Sequence, residues 1–237
     1  MDETLAAGLE ELRKDRRADA LLAPRAAEVI ALLERYIAEI ELFNPSYGLV
    51  SVKSRRELVV RHILDSLAAL GLLLEGGPAR RIADVGSGAG LPGIPLAICL
   101  PLSRFTLIER AGRRAGFLRN TLAVLGLPNA EVEETEMEKA APGRFGLAVF
   151  RAFRPLEPPI LKGLLRLLAD GGALAAWKGR RSLAGQELGR LEAAGLLSPL
   201  SSPPAAGKPR WEILPVKTPF LEAERCLALI RKPPQTM

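Results

Sequence analysis

The 237-residue sequence predicts an α/β fold: a mostly parallel sheet covered by helices on both faces, behind a helical N-terminal segment. Three observations carry this. The first 75 residues or so place apolar side chains at helical spacing. From about residue 78 short β-branched or apolar runs alternate with helical stretches. The last two such runs follow each other across a short Pro-containing turn, which predicts an antiparallel pair at one sheet edge.

Residues 24–43 set Val29, Leu33, Tyr36, Ile37 and Ile40 at steps of three and four, with Glu28, Glu34, Arg35, Glu39 and Glu41 between them. That is an amphipathic helix with Pro24 near its first turn, broken by Pro45, Ser46 and Gly48. Residues 54–74 restore helical spacing from Ser54, an N-cap with Glu57 three residues on in a capping-box pattern. Gly76, Gly77 and Pro78 end the helical part. Strands are expected over 81–85, 105–108, 131–133, 147–150 and 172–177, with helices from about Ile94, over 113–125 and over 155–168. Residues 198–210 read as a loop by composition, and 211–216 and 225–230 as the closing strand pair. The chain thus divides into a helical cap, 1–77, and a sheet domain, 78–237, forming one integrated unit.

Composition bounds the function. The net charge is +6, but residues 1–80 carry 11 Lys and Arg against 13 Asp and Glu, and residues 81–237 carry 22 against 14. The whole basic excess therefore lies in the sheet domain, where it suits an anionic partner. Cys99 and Cys226 sit far apart in apolar runs, which reads as buried thiols in a reducing compartment. A single histidine excludes a His-rich metal site, so no metal is expected. No apolar run approaches the ~18 residues of a membrane span, and the N-terminus has no secretory pattern. A cytoplasmic, membrane-free protein, acting as a monomer, is expected.

The strongest local signal runs from Asp84 to Gly93 (DVGSGAGLPG), directly after the first expected strand. Glycines there let the backbone turn sharply and admit a ligand to the main chain, while the next helix offers unpaired N–H groups. Two patterns compete. Gly88, Gly90 and Gly93 satisfy the dinucleotide fingerprint, with Glu109 about 20 residues on, which would make an NAD(P)-type oxidoreductase. Asp84, Gly86, Gly88 and Gly90 resemble the first motif of S-adenosylmethionine-dependent methyltransferases. Position favours the second: Gly86 already occupies the place straight after the strand, and Asp84 suits an ammonium-bearing ligand but would repel a pyrophosphate. Glu109, closing the next strand, offers a carboxylate for both ribose hydroxyls, or is a solvated strand-end acid. After the third strand, Met137 is placed to pack on an adenine ring, although the acidic run 133–138 around it also reads as a solvated helix start.

Further short stretches, in order, extend the likeness: FNPSY at 43–47, RHILDS at 61–66, the loop with its continuation Leu91-Pro92-Gly93-Ile94-Pro95, RRAGFL at 113–118, Arg151-Ala152-Phe153 and Lys178-Gly179. Over about residues 32–178 the chain resembles the RsmG family, also called glucose-inhibited division protein B, the bacterial 16S ribosomal RNA guanine-N7 methyltransferases. The resemblance implies a Rossmann-like class I S-adenosylmethionine-dependent methyltransferase sheet. It implies cofactor contacts at Gly86, Gly88, Leu91, Glu109, Met137, Glu138 and Arg151, beside Asp84. It implies a guanine in the decoding-region loop of small-subunit rRNA as methyl acceptor, and so 16S rRNA or the small ribosomal subunit as partner. Two departures stand out: Gly48-Leu49-Val50 replaces the family's usual Asn-Leu-Thr, and Glu136 replaces its usual Arg.

Guanine N7 carries an in-plane lone pair and no proton, so methylation there needs positioning rather than a general base. His62 and Asp65, three apart on one expected helix, share a face. The resemblance places that helix beside the cleft, where Asp65 would accept from the guanine amino and N1 groups. The alternative is that His62 and Asp65 pair with each other and fix the helix to the sheet. Arg113, Arg114, Arg154, Lys178, Arg180 and Arg181, with Arg110 and Arg119, cluster near strand ends and helix starts, where a basic rim would contact RNA phosphates. Tyr47, Phe153 and Trp177 are the aromatics nearest the motifs for base stacking. A non-catalytic RNA-binding assembly factor is the remaining alternative.

Overall fold

The computed structural model describes residues 2–75, 77, 79–201 and 208–234. Gly76 and Pro78 of the expected break, and 202–207 of the expected loop, lie outside the described residues. The N-terminal segment is helical throughout: α1 (Glu3–Leu12), α2 (Arg16–Leu22), a 3-10 turn (Ala23–Arg25) and α3 (Ala26–Tyr47). Asp2 and Asp15 cap α1 and α2, their carboxylates accepting from first-turn N–H groups. Helix α3 runs past the expected break, with Pro45 inside its last turn, because there proline removes one hydrogen bond without stopping the helix. Gly48 then ends it at φ 57°, donating to the Asn44 carbonyl at 2.9 Å.

The second helical stretch is not the single regular helix that its periodicity predicts. It comprises α4 (Arg55–Leu58), a π-helical turn (Val59–Leu64), α5 (Asp65–Leu67) and α6 (Leu70–Leu73). Ser54 caps α4 as expected, accepting from the Glu57 N–H at 3.2 Å. The π turn buries Val59, Val60, Ile63 and Leu64 together.

Strands and helices then alternate: β1 (Arg81–Val85), α7 (Gly93–Cys99), β2 (Arg104–Ile108), α8 (Gly112–Leu125), β3 (Ala130–Glu133), β4 (Phe145–Arg151), α9 (Pro158–Leu167), β5 (Leu168–Lys178), α10 (Arg181–Ala193), β6 (Ser198–Pro199), β7 (Arg210–Val216) and β8 (Arg225–Arg231). One sheet results, in the order β3-β2-β1-β4-β5-β8-β7-β6. Strands β3 to β5 are parallel, and β8 is antiparallel to both β5 and β7. The expected closing pair forms, but β8 lies inside the sheet, so β7 and the two-residue β6 make the edge.

Alternate side chains feed two cores. Ile82, Phe105, Leu107 and Val149 pack with Leu33, Ile37, Ile94 and Phe117 of the α3, α7 and α8 side. Ala83, Val85, Ile108 and Phe150 pack with Leu161, Leu164 and Leu188 of α9 and α10. Chain direction through the sheet reverses between β1 and β4, where a crevice opens beyond the carboxyl ends of the strands. Among the described residues no helix is long and apolar enough to cross a membrane.

Candidate functional site

The glycine loop occupies that switch point. Asp84, fully buried, accepts on Oδ2 from the Ser87 hydroxyl at 2.5 Å and from the Gly93 N–H, at the start of α7, at 3.0 Å. It therefore holds the loop from inside rather than meeting a ligand at its surface. Burial pushes its carboxyl up to about 6, against the opposing pull of those two hydrogen bonds. From the other side the buried Tyr36 hydroxyl donates to the Ala89 carbonyl at 2.7 Å, so α3 clamps the loop. Periodicity marks Tyr36 only as part of a core face; its hydrogen bond is a tertiary feature without a local signal.

Gly86 (φ 69°) and Gly88 (φ 59°) adopt the left-handed conformation. A Cβ on Gly86 would lie 2.1 Å from the Phe153 ring, whereas at Gly88 the nearest atom is 3.8 Å away. Glu109 accepts from the Gly88 N–H on one oxygen and from the Ala111 N–H on the other, each at 2.9 Å. Its carboxylate thus joins the loop to the end of β2.

Two clefts meet here. The smaller, about 230 Å³, is lined by Gly86, Ile108, Glu109, Arg114, Glu136 and Met137 among others. Met137 is buried and reaches toward Gly163 of α9 from a turn rather than a helix start. Glu138 points instead to Arg154, 2.8 Å away. Leu91 is buried behind the loop. The larger cleft, about 760 Å³, is lined by His62, Asp65, Arg151, Trp177, Lys178 and Arg225, among others. Ala152, Phe153 and Arg154 line both. Ala152 has φ 51°, which turns the chain sharply between Arg151 and the dividing Phe153 ring.

The sequence-derived site residues meet in this larger cleft in an unexpected arrangement. His62 and Asp65 do not pair with each other; both bond to Arg151. Arg151 Nη2 lies 2.8 Å from His62 Nδ1, and Nη1 donates to Asp65 Oδ2 and to the Arg61 carbonyl, each at 3.1 Å. Asp65 Oδ1 accepts from Thr218 Oγ1 at 2.9 Å and Arg225 Nε at 3.0 Å, while the Trp177 indole donates to its carbonyl at 3.0 Å. The Arg151 guanidinium therefore sits among the larger cleft's residues and is absent from the lining of the smaller one. Glu187, unmarked by the sequence, accepts from the Leu156 N–H and pairs with Lys178 at 2.6 Å. Among the described residues no three His, Cys, Asp or Glu side chains are grouped to hold a metal ion.

The basic set splits. Arg113 lies 4.3 Å over the Tyr47 ring and donates to the Ser46 carbonyl, which fastens α8 to the end of α3. Arg119, Arg154 and Lys178 are ion-paired with Glu134, Glu138 and Glu187. Arg110 and Arg114 at the smaller cleft, and Arg180 and Arg181 after β5, have side chains with no hydrogen bond or salt bridge among the described residues, although Arg110 lies within electrostatic reach of Glu138 and Arg181 of Cys226. Of the aromatics, Phe153 and Trp177 line the larger cleft, whereas Tyr47 packs against Phe43 beneath Arg113.

Comparison with known proteins places these clefts in context. A family model described as rRNA small subunit methyltransferase G matches residues 29–198. A ribosomal RNA small subunit methyltransferase G of Treponema pallidum is 42% identical over 187 residues, covering 77% of this chain and 79% of its own. The protein of that name from Treponema denticola is 34% identical over 259 residues, covering 97% and 94%. Among solved structures, a SAM-dependent O-methyltransferase from Thermotoga maritima superposes with a TM-score of 0.51 at 15% identity, over 85% of this chain and 72% of that one, a likeness of fold.

Proposed function

Since the chain belongs to the rRNA small subunit methyltransferase G family, and is a methyltransferase of ribosomal RNA, we propose that it methylates N7 of a guanine in the decoding-region loop of 16S rRNA. The observation that carries the choice of atom is the state of the larger cleft's acids. Its two lining carboxylates are both committed, Asp65 to Arg151, Arg225 and Thr218, and Glu187 to Lys178 and the Leu156 N–H. His62 Nδ1 is engaged as well. A cleft without a free base suits an acceptor atom that loses no proton, and guanine N7 is such an atom.

The smaller cleft fits S-adenosylmethionine. Gly86 lines it with main chain beside the Phe153 ring, Glu109 keeps a lone pair on each oxygen, beyond its Gly88 and Ala111 N–H bonds, for ribose hydroxyls, and Met137 and Ile108 give an apolar floor for an adenine. Bound there, S-adenosylmethionine supplies an electrophilic methyl group. Tyr36 and Asp84 hold the loop, and Phe153 stands at the boundary the two reactants share. Positioning of this kind is worth up to about 7–11 kcal/mol when the reacting atoms are aligned. Two free, buried cysteines suit action in the reducing cytoplasm.

Mass mapping of small-subunit RNA, methylated by the protein with tritium-labelled S-adenosylmethionine, tests this. Label on N7 of a decoding-region guanine is expected. Label on another base or atom overturns the assignment, and RNA binding without any label overturns the cofactor assignment.

A further inference from the structure

Guanine and adenine both present N7, so a guanine-specific enzyme must read the neighbouring atom, and the larger cleft holds a group suited to that. Arg151 Nη2 lies 2.8 Å from His62 Nδ1. A guanidinium only donates, so Nδ1 carries a lone pair and the single ring proton sits on Nε2. The Arg151 contact orients the ring, and the backbone that carries it is held in the π-helical turn, where the His62 carbonyl accepts from the Ser66 hydroxyl at 2.6 Å. Nε2 has no partner among the described residues, and the ring lines the 760 Å³ cleft. Other donors lining the cleft are tied to protein acceptors: Arg151 and Arg225 bond to Asp65, the Trp177 indole to the Asp65 carbonyl, and Lys178 to Glu187.

We infer that the His62 Nε2–H reads O6 of the target guanine and makes His62 the residue that separates guanine from adenine. This rests on the guanine-N7 reading above. Guanine presents N7 and O6 side by side as acceptors, whereas adenine presents an N6 amino donor in place of O6. A donor on O6 holds the base by the atom next to N7 and leaves the N7 lone pair free. With adenine, two donors would face each other and both would go unpaired. During transfer the N7 lone pair bonds to the methyl carbon, the sulfur–methyl bond breaks and its electron pair returns to sulfur. Positive charge moves from sulfur to the purine, and no proton leaves. A neutral imidazole at O6 tolerates that charge; an imidazolium would oppose it.

The surroundings hold the ring neutral. Burial first, then the Arg151 charge, lower its pKa to about 4, against Asp65 and Glu57, with Arg61 adding to the lowering. Arg154, Lys178, Glu187 and Arg225 face the same cleft from the loop after β4, from β5, from α10 and from β8.

Because His62 is the chain's single histidine, nitrogen-15 NMR of the untagged protein reads its tautomer directly. The neutral Nε2–H form is expected from pH 5 to 8. A protonated Nδ1, as the other tautomer or as imidazolium, overturns the inference. The second arm pairs variants with substrate atoms, using small subunits reconstituted with guanosine, inosine or 2-aminopurine riboside at the methylated position. Inosine keeps O6 and N7; 2-aminopurine lacks O6 and keeps N7. Wild type is expected to methylate guanosine and inosine alike, and 2-aminopurine with kcat/KM about 10- to 100-fold lower. His62→Leu should bring guanosine down to that level without further loss on 2-aminopurine, and His62→Gln, whose amide can accept from Arg151 and donate to O6, should restore most of it. Equal wild-type rates on guanosine and 2-aminopurine, or losses that multiply, overturn the role of His62. Wild type that labels no guanine N7 fails the underlying reading instead, so the two failures stay distinct.

Discussion

Gly86 shows how narrowly a single residue can be constrained. Its φ of 69° and the Phe153 ring, 2.1 Å from where a Cβ would stand, leave no room for a side chain. Gly86→Val should abolish S-adenosylmethionine binding in equilibrium dialysis while far-UV circular dichroism stays native; unchanged affinity would show that the loop does not hold the cofactor. Asp84 makes a second residue-level prediction. Folded, it takes up its proton near pH 6, against 3.8 as the reference value, because burial penalises its charge. Between those values the folded state binds more proton than the unfolded state, so stability falls as pH rises through the window. Above it the penalty of about 3 kcal/mol is complete, and below it absent. Asp84→Asn carries no charge at any pH. Its melting temperature should therefore gain on wild type between pH 4 and 7, and a constant difference would deny the buried titration. The strand-end acid was legible from position in the sequence, but its inward role was not, because burial by α7 and the loop is a tertiary fact.

Among the elements, the stretch from α4 to α5 has the most to explain. Its apolar spacing and its Ser54 cap were readable, whereas the π turn was not, since Val59, Val60, Ile63 and Leu64 also satisfy an ordinary helical face. That turn sets His62 and Asp65 on either side of Arg151, and the partners Thr218 and Arg225 come from 153 and 160 residues away. No local pattern announces such distances. Asp65 thus ties the helical segment to β4 and to the closing hairpin. Asp65→Ala would leave two guanidinium groups without their buried carboxylate, a change worth about 3–5 kcal/mol. Thr218→Val removes one neutral hydrogen bond and should cost about 1 kcal/mol. Urea unfolding of both variants checks the order, and equal, small effects would return Asp65 to a role toward the base alone. The strand–helix alternation from β1 to β5 was legible, because β-branched runs and glycine or proline punctuation are local; α10 was missed, since its sequence mixes glycines with scattered leucines, and so was the two-residue β6, which falls in the stretch read as a loop.

At the scale of the whole molecule, charge separates into structural and available parts. The count of +6 cannot tell them apart, but geometry does. Arg113 is committed to Tyr47 and the Ser46 carbonyl, while Arg180 and Arg181 follow the carboxyl end of β5, next in the chain to Lys178 and Gly179, which line the larger cleft. A guanidinium that meets an RNA phosphate displaces counterions, so log K falls with log salt by about 0.7–0.9 per contact. Arg180→Ala with Arg181→Ala should weaken small-subunit RNA binding and flatten that slope by about 2, with affinity for S-adenosylmethionine unchanged. Arg113→Ala should leave the slope intact and lower the melting temperature, because the contact it loses joins α8 to α3 within the same fold. Filter binding across a salt series measures both. A slope flattened by Arg113→Ala and untouched at Arg180 and Arg181 would move the RNA path from the β5 side of the cleft to the α8 side.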